Sequence, residues 1–129
     1  MKFTQSLMIA SALVMGALGV CGTFAPDVLL RAIDAPVSPV LQLLVQVMGA
    51  LLLGLAALNW LGRRNMIGGI YSRPLVIANL MHFVTAGLAM LKFVFTHTVP
   101  WPLLGLSAVY AVFAIAFAIT LTRHPISTP

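Results

Sequence analysis

The chain has 129 residues, 61% of them hydrophobic and 7% charged, with a formal net charge of +5. A soluble domain is nearer a quarter charged, and seven basic and two acidic side chains cannot cover a water-soluble fold of this size, so the bilayer is its solvent. The basic residues flank apolar runs instead of forming a patch, which excludes nucleic acid as a partner, and the single Cys21 excludes an internal disulfide.

Four apolar runs follow in order, at roughly 4–24, 39–61, 74–95 and 101–122. Each reaches across about 30 Å of hydrocarbon at about 1.5 Å per residue. The first begins after a minimal basic start, Met1-Lys2. It lacks an Ala-x-Ala cleavage pattern, and Leu18-Gly19-Val20-Cys21 departs from a lipoprotein box at Val20, so the run is read as a retained helix. Between the first and second runs, Pro26 to Ile33 reads as a short amphipathic helix lying at the interface, with both acidic residues, Asp27 and Asp34, in the same loop. Ser38-Pro39 is an N-cap followed by proline in the first turn, and Pro74 and Pro102 are placed likewise, where the missing N–H costs little. Gly68-Gly69 breaks the second loop, and Pro125 and Pro129 mark a short tail. The expected fold is therefore all-α, a single integral membrane domain over 1–129 built as a four-helix transmembrane bundle with one interfacial helix.

Basic residues set the expected orientation. With the N-terminus inside, the inner segments carry Lys2, Arg63, Arg64, Arg73 and Arg123, and the outer ones only Arg31 and Lys92. Both termini are thus expected in the cytoplasm, with Trp60 and Tyr71 at the inner interface and Trp101 at the outer one. Arg63, Arg64 and Arg73 read either as topology determinants or as a site for anionic lipid headgroups.

No Asp or Glu falls within a span. Proton- and cation-coupled carriers, the small four-span multidrug exporters among them, rely on an intramembrane ionisable group, and four-span thiol oxidoreductases need cysteine pairs. A bis-His haem needs two histidines at matched depth, whereas only His82 is deep. No spacing of His, Cys and carboxylates suggests a metal site, and no cofactor is expected.

The remaining polar groups are amides, an imidazole and hydroxyls. Gln42 and Gln46 are four apart on one face of the second span, together with Gly49 and Leu53. Asn79 and His82 are three apart on the third, and Ser107 and Tyr110 three apart on the fourth. Depths counted from the span ends give two layers. The outer holds Gln42, Gln46, Ser107, Tyr110 and Lys92; the inner holds Asn59, Asn79, His82 and Ser11. His82 lies about 12 Å from the inner boundary and Tyr110 about 13 Å from the outer. On the third span, Asn79, His82, Ala86 and Ala89 form the expected packed face, leaving Phe83, Leu80, Leu91 and Val94 to meet lipid. Each polar group has two readings, as hydrogen-bonded glue between helices or as a ligand contact. The candidate ligand residues are His82, Asn79, Asn59, Gln46, Gln42 and Tyr110, with the inner group around His82 favoured as a headgroup site. Ala12-x-x-x-Gly16, Ala50-x-x-x-Gly54 and Ser107-x-x-x-Ala111 are small pairs that permit close helix approach.

Phe24-Ala-Pro26-Asp27, Gly49-Ala-Leu-Leu-Leu-Gly54 and Asn59-Trp60 ahead of Arg63 resemble a broad group of uncharacterised small four-span bacterial inner-membrane proteins, over about the first half of the chain. A more distant similarity is to DoxX-like membrane proteins, whose Gly-rich second helix usually has Arg where Gln46 stands. The resemblance implies fold and location and no reaction. A non-enzymatic bundle is expected, either an accessory subunit of a larger membrane complex or a binder of a hydrophobic small molecule such as a lipid or quinone. An oligomeric channel or facilitator is the alternative. A membrane enzyme is a weaker reading still, since nucleophile–base and carboxylate pairs are missing.

Overall fold

The computed structural model describes residues 2–64 and 72–122. Among these residues it has five helices in chain order: α1 (Lys2–Phe24), α2 (Pro26–Ala32), α3 (Pro39–Gly62), α4 (Ser72–Thr96) and α5 (Trp101–Thr122). Four of them, α1, α3, α4 and α5, are long and apolar enough to cross a membrane. The expected break at Gly68-Gly69, the belt position of Tyr71 and the tail from Arg123 through His124 to Pro129 lie outside the described residues.

Local chemistry explains the ends. Ser38 is extended and its Oγ accepts from the Leu41 N–H, with Pro39 next in line. Pro74 and Pro102 fall within the first turns of α4 and α5. The interfacial helix α2 stops where Asp34 takes a positive φ of 55°. The Ala35 N–H then bonds Leu30 O and the Asp34 N–H bonds Arg31 O, the paired bonds of a Schellman ending. Pro26 and Leu30 face inward from α2, while Val28 and the preceding Phe24 are exposed, so its apolar outer side is available to the membrane surface. Trp101, 82% exposed, opens α5, and the exposed Phe95 lies in the last turn of α4.

The spans associate as two pairs, α1 with α3 and α4 with α5, and the contact between pairs is much thinner. Backbone proximity makes the first pair. A Cβ on Gly49 would lie 2.6 Å from the Thr23 backbone nitrogen and 2.9 Å from Gly19 O, and one on Gly22 3.2 Å from the Gly49 Cα. Of the small pairs read in the sequence, Ala12 is buried and Gly16 faces Ala56, but Ala50 and Gly54 point outward, and a Cβ on Gly54 would meet nothing within 4 Å.

Aromatic packing makes the second pair and corrects the expected orientation of α4. Phe83, expected to meet lipid, is 0% exposed. Its ring stacks on Phe113 and Phe117, with centroids at 4.8 and 5.6 Å, and meets Tyr110 edge-on at 5.1 Å. Leu80 packs against this core as well, whereas Ala89 is exposed. The packed face of α4 is therefore centred on Phe83, with Val76, Asn79 and Gly87, and His82 lies at its edge. An inward phenyl ring gains several dispersion contacts and ring–ring contacts. Facing lipid, it would gain nothing over any other apolar side chain.

Candidate functional site

Asn59 of α3 and Asn79 of α4 are both completely buried and pair amide to amide. Each Nδ2 donates to the other's Oδ1 at 2.7 Å. The second hydrogen of Asn59 Nδ2 goes to Ser11 Oγ of α1 at 3.0 Å, with Met15 Sδ at 3.7 Å beside it. Ser11 passes its own hydrogen to Met8 O at 3.0 Å, and Asn79 Nδ2 gives its other hydrogen to Leu75 O at 2.9 Å. Every donor in the cluster has an acceptor, as a hydrocarbon environment demands. Three helices meet here. The amide pair is also the only side-chain hydrogen bonding between the α1–α3 and α4–α5 pairs among the described residues.

The expected inner layer thus assembles in part. Asn59, Asn79 and Ser11 converge, but His82 does not join them. Its Nε2 lies 3.3 Å from Tyr110 Oη, and its ring packs edge-on to Phe83 at 5.2 Å between centroids. Tyr110, assigned to the outer layer, is therefore the partner of an inner-layer residue. The reason is arithmetic. Depths of about 12 and 13 Å from opposite faces of a core about 30 Å thick leave only about 5 Å between the two groups, a gap that a tyrosine side chain spans. Both sit near mid-bilayer, and the division into two layers fails for this pair. His82 is half-buried, with Nδ1 unpartnered among the described residues.

The other outer-layer residues are dispersed. Ser107 is buried and bonds back to Leu103 O of its own helix at 2.8 Å. Lys92 is exposed near the end of α4. Gln42 is half-buried and Gln46 exposed, and neither side chain has a partner among the described residues. Gln46 projects from the outside of α3 about 10 Å below the span end, counted from Pro39, with Ala50, Gly54 and Ala57 following on the same outward side. The sequence named Gln46 but could not show that it faces away from the bundle.

At the far end of α3, Arg63 lies over the Trp60 ring, its guanidinium carbon 3.8 Å from the centroid, and also bonds Trp60 O. Arg64 and Arg73 are exposed. Among the described residues no group of three or more His, Cys, Asp or Glu stands close enough to hold a metal ion. No family model, curated protein or solved structure matches the chain.

Proposed function

We propose that the chain is a non-enzymatic protein of the bacterial inner membrane that works by lateral association, as an accessory subunit of a membrane assembly. One observation carries this reading: α3 turns an amide, Gln46, and three small residues, Ala50, Gly54 and Ala57, away from its own bundle. An amide facing lipid is costly, whereas faces that meet another helix are enriched in small residues, for close approach, and use amides for bonds across the interface. A photoactivatable side chain at Ala50 should give a protein adduct in intact cells, and one at Ile115, on the exposed side of α5, should not. Lipid adducts alone from both positions would refute the proposal.

The competing reading, a binder of a lipid or quinone, is supported at His82 more than at Asn59 and Asn79. The two asparagines use their hydrogens within the protein, whereas His82 keeps Nδ1 free among the described residues on a half-buried ring beside Tyr110. Mass spectrometry of lipid extracts from wild type and His82→Ala would separate the readings. Association without a site at His82 predicts the same lipid content in both.

We also propose that the Arg63–Arg64 end of the bundle is cytoplasmic, in line with the bias of basic residues toward that side. In a Cys21→Ala background, single cysteines at Asp34 and Ser72 should be labelled by an impermeant maleimide from opposite sides of the membrane, Asp34 from outside. Labelling of both from one side would reject the four-span arrangement.

A further inference from the structure

We propose that the end of the bundle carrying Arg63, Arg64 and Arg73 binds the headgroup of an anionic phospholipid. The inference goes beyond lateral association and does not depend on what α3 meets.

Packing brings the three arginines to one place. A Cβ on Gly62 would lie 2.5 Å from Leu75 Cδ2, so the last turn of α3 abuts the first turn of α4. Arg63 and Arg64 follow that contact directly, and Arg73 comes just before it on α4. Arg64 and Arg73 are exposed, and neither has an ion-pair partner among the described residues, where the one ion pair joins Arg31 to Asp27.

Their counter-charge has to come from outside the chain. The sequence holds two carboxylate side chains, Asp27 and Asp34, and both lie between α1 and α3, a full span away. At that far end the charges balance, Asp27 and Asp34 against Arg31 and Lys92. At the arginine end nothing balances them. Arg73 also stands in the first turn of α4, where the helix dipole favours an anion and no acidic residue is present. Dipole and guanidinium thus attract the same missing anion.

Position identifies that anion. The arginines stand where two spans leave the hydrocarbon, at the level of the lipid phosphates, and a guanidinium fork matches phosphate oxygens in a bidentate way. Arg63 is already held at this rim. Its guanidinium carbon lies 3.8 Å from the Trp60 ring centroid and it donates to Trp60 O, which leaves its other N–H groups for a headgroup. A zwitterionic headgroup brings a cation of its own into the cluster, whereas an anionic one does not. A purely topological role for the arginines requires no preference between the two lipids.

The test uses the full chain with Trp101→Phe, which leaves Trp60, 44% exposed, as the sole indole. The protein is placed in vesicles of phosphatidylglycerol and phosphatidylcholine, with one or the other brominated in its acyl chains. Quenching of Trp60 then reads which lipid stands beside the arginines. Each basic residue near an anionic surface contributes roughly a fivefold preference, so Arg64 and Arg73 together should favour phosphatidylglycerol about 25-fold. Arg64→Gln and Arg73→Gln should each lower the preference about fivefold, and the double variant should remove most of it. Arg64→Lys and Arg73→Lys should retain most of it. Helicity and unfolding in detergent should not change, because both side chains are exposed. With Trp60→Phe instead, Trp101 should report no preference at the charge-balanced end. Equal quenching by both lipids at Trp60, an undiminished preference in the double variant, or the same preference at Trp101 overturns the site. Loss of the preference on adding millimolar inorganic phosphate at constant ionic strength would make free phosphate the ligand and overturn the lipid.

Discussion

Asn79→Leu is expected to destabilise the bundle by about 2–3 kcal/mol, with Asn59→Leu close behind. A membrane hydrogen bond is usually worth less, about 0.6–2 kcal/mol, because the unfolded spans find other partners in the bilayer. The larger figure follows from what the substitution leaves behind. With Asn79 gone, Asn59 keeps Ser11 as an acceptor but loses a donor for Oδ1 and an acceptor for one hydrogen, at a position with no exposure to water or lipid. The amide pair is also the polar link between two helix pairs that otherwise touch thinly. The double variant Asn59→Leu/Asn79→Leu separates the two causes. It removes both orphaned groups at once, so its loss should be smaller than the sum of the single losses by about 1–2 kcal/mol. Reversible unfolding in mixed micelles measures all three. Strict additivity would show that the asparagines do not act as a pair.

The same cluster shows how far the residues could be read before the structure. The spans were legible because a run of about 20 apolar residues has one stable environment, and their starts because proline and Ser38 have specific uses at helix N-termini. The facing of each span was not. In a soluble helix the polar side marks the surface. In a membrane helix core and lipid are both apolar, so periodicity marks no direction, and adjacent His82 and Phe83, about 100° apart around the helix, offered two different ways to turn α4. The polar residue suggested one, and the aromatic core with Phe113 and Phe117 took the other. Polarity did identify Asn59 and Asn79 as interior residues, since a lipid-facing amide is costly. Their pairing depends on the relative rotation and height of two antiparallel helices, which local sequence does not encode. Gln46 breaks the rule that served for the asparagines, and that exception is what draws attention to the outer face of α3.

The largest effect is expected from a single methyl group. Gly49→Ala should cost at least about 3 kcal/mol, the upper end of overpacking penalties, even though alanine is the better helix former by about 1 kcal/mol. The new Cβ would sit 2.6 Å from the Thr23 backbone nitrogen, 2.7 Å from Thr23 Oγ1 and 2.9 Å from Gly19 O. Two of those three atoms are backbone and cannot rotate away, so α1 and α3 must separate along their crossing. Separation also loosens what the crossing positions, including Ser11 against Asn59 lower in the same helix pair. Gly54→Ala is the control on the same helix. Its Cβ meets nothing within 4 Å, so in dilute detergent it should stabilise the monomer slightly by propensity alone. Parallel unfolding curves give the contrast directly. A Gly49→Ala protein as stable as the Gly54→Ala control would mean that α1 and α3 do not approach backbone to backbone at Gly19, Gly22 and Gly49. The pairing of α1 with α3, on which the outward orientation of Gln46 depends, would then have to be abandoned.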